Sequence, residues 1–286
     1  EVASAKWMTT GLGVYELYIN GNKGGEEFLK PGFTHYEKTR NSYTYDITEA
    51  FRTGADEENT LSAQVTPGWW ADKIITPERH DGMIGKKCAF RGVLELTFKD
   101  GTKKVHGTDT VMWKAGIAGP VKHAAIFDGE QYDAREPYGH EQADLLKVPE
   151  INTEFNGETV PAEGAEIYLR HDLKLAPAEA YTWKGTTGAT EGYYGKVIIS
   201  RRFKPGKPIK VRPGETLVVD FGQNAAAVPS FEFKAAAGTK HICHIRYLYI
   251  RHIKGAQINC RKFAAIFEHI LRIKDIKKIK TCKIDF

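Results

Sequence analysis

The fold class of this 286-residue chain follows from residues 12–20, which read Leu-Gly-Val-Tyr-Glu-Leu-Tyr-Ile-Asn. The stretch alternates in polarity and is rich in β-branched and aromatic residues, which is typical of a β-strand. Residues 20–25 then read Asn-Gly-Asn-Lys-Gly-Gly, and Asn-Gly after such a stretch is a strong turn signal. We therefore predict that this stretch forms one arm of a β-hairpin.

Short strands separated by turns recur along the rest of the chain. We predict strands at residues 43–48, 61–65, 88–98, 105–113, 167–175, 196–203, 216–221 and 230–235. Strands at this spacing are typical of a sandwich or a jelly roll, and the Pro-, Gly- and acid-rich residues 137–165 indicate a boundary. The sequence predicts a mainly β chain with two β-sandwich, jelly-roll-like domains, 1–150 and a partial 151–240, followed by an atypical tail at 241–286.

The basic charge of the chain belongs to this tail. Residues 1–240 hold 30 Lys and Arg against 33 Asp and Glu, whereas residues 241–286 hold 11 against 3. The overall balance of +5 therefore does not indicate a nucleic-acid-binding face on the main body. Apolar side chains at three-to-four-residue intervals predict a tail helix over 259–280. The tail composition fits a basic amphipathic helix that binds a membrane or a partner, and it equally fits out-of-frame translation of A/T-rich DNA.

Three kinds of site lack support in the residues. Cys88 stands alone in the main body, and no cysteine pair has the C-x-x-C spacing of a zinc site, so we predict no metal site. No run of about 18 apolar residues is present, so we predict no membrane span. Residues 185–195 are rich in glycine but do not match the phosphate-binding pattern G-x-x-x-x-G-K-[ST], which favours a surface loop.

Residues 126–135 read Ile-Phe-Asp-Gly-Glu-Gln-Tyr-Asp-Ala-Arg and hold the densest group of polar and aromatic side chains. In an extended strand, Asp128, Glu130 and Tyr132 would lie on one face. Carboxylates and an aromatic ring on one face suit a sugar, because hydroxyls need acceptors and the sugar ring needs an apolar wall. The alternative is a strand ending in a turn, with Arg135 in a structural ion pair.

Eight motifs follow one another along the chain. They read Gly-Val-Tyr-Glu-Leu-Tyr-Ile-Asn-Gly at 13–21, Pro-Gly-Phe-Thr-His-Tyr at 31–36, Tyr-Thr-Tyr-Asp-Ile-Thr at 43–48, Pro-Gly-Trp-Trp at 67–70, Leu-Glu-Leu-Thr-Phe-Lys-Asp-Gly at 94–101, Trp-Lys-Ala at 113–115 with Gly-Pro at 119–120, Asp-Gly-Glu-Gln-Tyr-Asp-Ala-Arg at 128–135, and Val-Asp-Phe-Gly-Gln-Asn at 219–224. In order and spacing, the series resembles the N-terminal part of bacterial α-L-rhamnosidases of glycoside hydrolase family 78. The motifs at 128–135 and 220–224 carry most of this resemblance.

The resemblance implies accessory β-sandwich domains ahead of an (α/α)₆ barrel. In this family the barrel holds two carboxylates that hydrolyse terminal L-rhamnosides with inversion. Those carboxylates are expected downstream of Asn224, and the 62 residues that follow are too few for the barrel. We therefore expect no catalytic residue in this chain and expect the missing barrel of the parent protein as its partner. Family habit further implies a secreted or periplasmic protein.

The resemblance also indicates where a sugar would bind. We predict Trp69 or Trp70 as the stacking wall, and Asp128, Glu130 and Arg135 as the hydrogen-bonding groups. The alternative is that the two tryptophans close a sandwich core. Some relatives bind rhamnose through calcium, but the loop Val65-Thr66-Pro67 before the tryptophans carries no acid, so we expect no cofactor.

Three functions are weighed against one another. The favoured one is the accessory β portion of an α-L-rhamnosidase that holds rhamnose-containing glycans. The second is a stand-alone carbohydrate-binding module for the same glycans. The third, membrane or partner binding through the tail helix, requires that helix to form.

Overall fold

The structure is a computed structural model that describes residues 1–54, 57–72, 84–117, 119–126, 129–133, 147–188, 195–212, 214–228, 232–234 and 282–285. Strands dominate this part of the chain, so the mainly β fold class is confirmed. The chain divides into two compact units, Glu1–Leu169 and Arg170–Phe286. Among the described residues, no helix is both long and apolar enough to cross a membrane.

The described residues of the first unit form ten strands, a 3₁₀ turn at Thr48–Ala50 and one short helix. The strands are β1 (Val2–Leu12), β2 (Val14–Ile19), β3 (Asn22–Gly24), β4 (Thr39–Asp46), β5 (Leu61–Thr66), β6 (Ala89–Phe98), β7 (Lys103–Gly107), β8 (Val121–Ala125), β9 (Gly129–Tyr132) and β10 (Glu158–Pro161), and the helix is α1 (Gly68–Ala71). They form a five-stranded sheet in the order β10-β4-β1-β6-β7, a three-stranded sheet β3-β2-β5, and the hairpin β8-β9. The predicted hairpin is confirmed, because β2 turns into β3 at Asn20-Gly21.

The two larger sheets of the first unit pack face to face. Trp7 and Ala5 from β1 meet Tyr15 and Leu17 from β2, and all four residues are at most 1% exposed. The hydroxyl groups of Thr9 and Tyr15 share a hydrogen bond of 3.0 Å within this core. A polar group buried among apolar side chains needs a hydrogen-bond partner. This bond gives each hydroxyl group its partner and links β1 to β2.

A turn after β4 ties that strand to β1. Asp46 Oδ1 accepts hydrogen bonds from the backbone N–H of Thr48 at 3.0 Å and from its hydroxyl at 2.6 Å. Thr48 Oγ1 in turn accepts from the N–H of Ala5 at 3.0 Å. These bonds hold the pKa of Asp46 below its usual value, the Thr48 hydroxyl having the larger effect.

In the second unit, the residues that the structure describes form two three-stranded sheets. Its strands are β11 (Glu179–Thr187), β12 (Lys196–Phe203), β13 (Ile209–Val211), β14 (Thr216–Asp220), β15 (Glu232–Lys234) and β16 (Cys282–Asp285), ordered β12-β11-β14 and β13-β16-β15. Arg201 on β12 pairs with Glu215 and donates to the carbonyl of Lys210 at 3.1 Å, which connects the two sheets. Residues 282–285, from the tail, lie between β13 and β15.

Several sequence-based strand assignments differ from the structure, and the strand predicted over residues 105–113 is β7, which ends at Gly107. Residues 167–175 do not form a strand, and only Ile167 makes a bridge, to Phe28. The sequence pattern missed the strands β1, β8, β10, β11 and β13. Of these, β1 and β11 are the central strands of their sheets, and Gly185 interrupts the pattern of β11.

The two compact units divide after Leu169, and β10 pairs in parallel with β4 within the first unit. The predicted domain bounds at residues 150 and 240 stay predictions. The predicted helix at 259–280 lies outside the described residues.

Shortening a buried side chain of the core should lower the stability of the first unit. Leu17 is fully buried between the two sheets, so we expect Leu17→Ala to lower the free energy of unfolding by about 2–5 kcal/mol. Val105 on β7 is 62% exposed, and Val105→Ala should change it by less than about 0.5 kcal/mol. Urea denaturation of both variants measures the difference, and equal losses would contradict this account of the core.

The Asp46 turn predicts a defined response to acid. Because the folded-state pKa of Asp46 is lowered, its stabilising effect is complete above its ordinary value of about 3.9 and is lost as pH falls through the folded-state pKa. We expect Asp46→Asn to remove this part of the pH dependence of unfolding. Thr48→Ala should raise the carboxyl pKa toward its ordinary value in an NMR titration, and an unchanged pKa would refute the assigned cause.

Candidate functional site

Two glycines allow the chain to bring a tryptophan pair against the end of the first sandwich. Gly68 begins α1 with a φ of +54°, and a Cβ there would lie 2.6 Å from Val14 Cγ2. A Cβ on Gly13 would lie 2.2 Å from the carbonyl oxygen of Thr66. Only glycine tolerates both the backbone conformation and the close approach, so α1 is held directly against the start of β2.

Trp70 is the buried member of the pair. It is 2% exposed, and its indole Nε1 donates to the carbonyl oxygen of Lys87 at 2.9 Å. Gly85 donates its N–H to the Trp70 carbonyl at 3.0 Å and lies against the ring, where a Cβ would come within 1.9 Å of Cε2. Trp70 therefore anchors α1 by packing, and the role of either tryptophan as the stacking wall stays a prediction.

Trp69 belongs to a cluster of four aromatic side chains, which we call the aromatic cluster: Phe33, Tyr36, Trp69 and Trp70. Trp69 is half-buried, and the ring of Phe33, 57% exposed, meets it edge-on at 6.2 Å. The buried ring of Tyr36 contacts both sides of the cluster, since its centre lies 5.8 Å from that of Phe33 and 5.4 Å from that of the Trp70 ring. The cluster thus has a buried base and an accessible edge formed by Trp69 and Phe33.

The Tyr36 hydroxyl fixes the loop that carries Phe33. It donates to the carbonyl oxygen of Gly32 at 3.1 Å, and burial raises the pKa of Tyr36 to about 12. Tyr36 therefore remains a neutral donor at physiological pH. Sequence reasoning did not select Phe33 or Tyr36, although the Pro-Gly-Phe-Thr-His-Tyr motif at 31–36 pointed to this loop.

Polar groups lie beside the base of the cluster. Asn152 Nδ2 donates to the Lys87 carbonyl oxygen, 3.0 Å away, the same atom that accepts from Trp70. Glu154 accepts from the N–H of Lys86 at 2.8 Å, and Lys87 pairs with Glu150 at 2.6 Å. Residues 150–154 therefore bring carboxylates and an amide to this side of the cluster, and both groups can hydrogen-bond to sugar hydroxyls.

The acidic stretch at 126–135 is described only at residue 126 and at residues 129–133, and it contains the strand β9. β9 pairs in an antiparallel arrangement with β8, with the backbone of Glu130 opposite Ala124. Asp133 donates its N–H to the carbonyl of Pro120 at 2.7 Å. Asp128 and Arg135 lie outside the described residues, as does the side chain of Glu130. The three predicted hydrogen-bonding groups therefore stay predictions.

The motif at 220–224 forms a turn that its own acid stabilises. Asp220 Oδ1 accepts a hydrogen bond of 2.6 Å from the N–H of Gly222, which has a φ of +69°. No group of three or more His, Cys, Asp or Glu residues suited to a metal occurs in the described part of the chain.

Residues 1–160 match the family model described as the α-L-rhamnosidase N-terminal domain. The chain belongs to this family. The match covers the whole aromatic cluster, the hairpin β8-β9 and nearly all of the first unit. The family expected from the eight motifs is therefore confirmed.

Known α-L-rhamnosidases extend the similarity beyond that domain. The enzyme of Streptomyces avermitilis is 38% identical over 243 residues, which cover 84% of this chain and 20% of the enzyme. The enzyme of Alteromonas sp. is 28% identical over 247 residues, which cover 83% of this chain and 23% of that enzyme. The solved structure of the Streptomyces avermitilis enzyme complexed with L-rhamnose matches with a TM-score of 0.49 and 25% identity, over 81% of this chain and 20% of that one. The chain spans about a fifth of the length of these relatives.

The close approach of Gly85 to Trp70 predicts an unequal effect of two glycine substitutions. Gly85→Ala must displace the indole, so we expect a loss of about 1–3 kcal/mol in the free energy of unfolding. Gly107 on β7 has nothing within 4 Å of its added Cβ, so Gly107→Ala should be neutral or stabilising. Thermal unfolding of both variants tests this, and equal Tm values would show that Gly85 does not support Trp70.

Proposed function

We propose that this chain is the accessory, non-catalytic β portion of an α-L-rhamnosidase and that its first unit holds rhamnose-containing glycans on the aromatic cluster. The observation that carries the proposal is the accessible edge of Trp69 and Phe33 on a rigid, buried base, within a domain of the rhamnosidase family. Such a surface offers a large apolar contact with little loss of side-chain entropy.

The chemistry of the ligand fits this surface. Rhamnose is a neutral 6-deoxy sugar, so one part of it is a methyl group and the rest carries hydroxyls. The methyl group and the C–H face of the ring can pack on Trp69 and Phe33, while carboxylates and amides accept and donate to the hydroxyls. Asp128, Glu130 and Arg135 remain the proposed hydrogen-bonding groups from the sequence. Asn152 and Glu154 are further candidates, because they lie beside Trp70 and Lys87.

Hydrolysis itself is assigned to the parent protein. An inverting glycosidase needs two carboxyl groups about 6.5–9.5 Å apart across the scissile bond, one as general acid and one as general base. We propose that these groups belong to the α/α barrel of the parent protein and that this chain is its partner in substrate capture. A secreted or periplasmic location is part of the same proposal, since polymeric glycans are met there.

Removal of the accessible ring of Trp69 should weaken rhamnoside binding without unfolding the domain. Isothermal titration with methyl α-L-rhamnoside should show at least about a tenfold loss of affinity in Trp69→Ala and a smaller loss in Phe33→Ala. Val105→Ala, at an exposed site on β7, is the matched control and should bind like the original chain. Circular dichroism verifies that each variant is folded.

Two results would overturn the proposal. Unchanged affinity in folded Trp69→Ala would remove the aromatic cluster as the sugar site. Release of 4-nitrophenol from its α-L-rhamnoside by the 286-residue chain, at a rate proportional to chain concentration, would show that the chain is itself catalytic. We expect no release above the buffer rate.

A further inference from the structure

The sheet β12-β11-β14 of the second unit has an outer face with a line of side chains that do not pack in the core. Along β11, Ala180 and Thr182 are 0% and 1% exposed and point inward. Glu179, Tyr181 and Trp183 alternate with them and therefore point outward. Trp183 remains 37% exposed, which is unusual for so large an apolar side chain at the centre of a sheet.

The neighbouring strands add polar groups to the same face. Residues directly opposite one another in antiparallel strands share a face, and Tyr181 lies opposite Arg202 of β12. Thr216 of β14 lies opposite Trp183, and Asp220 lies opposite Glu179. The two aromatic side chains of β11 are thus bordered by a hydroxyl, a guanidinium and two carboxylates.

Internal pairing leaves this face with little net charge. Arg202 forms an ion pair with Glu179, and its guanidinium also lies 5.9 Å from the centre of the Tyr181 ring. Asp220 uses one carboxylate oxygen for the N–H of Gly222. A face with one arginine and two carboxylates does not attract an anionic ligand, but it offers donors and acceptors to a neutral one.

The backbone beside Trp183 supports a role for this residue outside the core. The pairing of β11 with β12 shifts register between Thr182 and Trp183 and again between Trp183 and Thr186, and Gly185 within the second shift has a φ of +124°. Such bulges locally redirect a side chain and recur beside functional sites. Here the irregularities lie on both sides of the exposed tryptophan.

We infer that this outer face is a second glycan-binding surface, which takes an extended neutral oligosaccharide with Trp183 as its stacking residue. The line from Glu179 to Trp183 spans about 14 Å at about 3.4 Å per residue, which is longer than one sugar ring and favours an oligosaccharide over a monosaccharide. Arg202, Glu179 and Thr216 supply hydrogen bonds to its hydroxyls. The choice of a rhamnose-containing ligand, but not the existence of the surface, rests on the function proposed above.

The test uses the full 286-residue chain and the indole N–H signals of its five tryptophans, assigned by single substitutions. The probe is a linear tetrasaccharide of α-L-rhamnose. We expect the Trp183 signal to shift with saturable dependence on its concentration. In Trp183→Ala the affinity at this surface should fall at least about tenfold, whereas Trp183→Phe should retain most of it. Lys174→Ala, an exposed position of the second unit outside its strands, is the control and should bind unchanged.

The same spectra separate this inference from the proposed function. A shift of the Trp69 signal with no shift of Trp183 at saturation would overturn the second surface and leave the first site standing. A shift of Trp183 alone would support the second surface and refute the first site. If Trp183→Ala fails to fold, two measurements still test the second surface: the shift of the Trp183 signal in the unsubstituted chain and the affinity of Trp183→Phe.

Discussion

The first unit depends on the burial of Trp7 between its two sheets. The indole is 1% exposed and meets Phe90 edge-on at 5.9 Å. It also lies over Gly92 of β6, where a Cβ would come within 2.5 Å of Nε1. A side chain at residue 92 would clash with the indole, so glycine at this position lets β6 pair with β1 in the observed register. A slip of one residue would also turn Trp7 toward solvent.

The same core positions the aromatic cluster. Leu12, the last residue of β1, packs with Tyr36 and Trp70 in a second buried group, and the chain between β1 and β2 turns at Gly13. Since Gly13 also lets Thr66 approach, the end of β5 and the start of α1 are held at this corner. Trp70 packs in the core, and the short helix α1 therefore places its neighbour Trp69 at the surface. Adjacent identical residues thus divide the structural and the proposed binding role.

The tertiary structure also buries a charge that no sequence pattern reveals. Lys30 is 2% exposed, with its Nζ 3.2 Å from Glu27 and 4.6 Å from the centre of the Tyr45 ring. Burial lowers the pKa of Lys30, and Glu27 partly opposes this effect. The adjacent Gly25 leaves room for the ammonium group, because a Cβ there would lie 3.0 Å from Nζ. The buried ammonium of Lys30 thus has an acid and an aromatic ring as close neighbours, as a charge removed from water requires.

The residue pattern alone predicted the mainly β class, the hairpin at Asn20-Gly21 and the family. These features depend on neighbours in the chain or on motifs read in order, so local residues suffice to identify them. The tertiary structure decided which tryptophan is buried, which loop brings Phe33 to Trp69, and that β11 forms the centre of a sheet. Each of these depends on contacts between residues far apart in sequence. Local propensity does not encode such contacts, because burial, and not the strand pattern alone, determines which face of each element is covered.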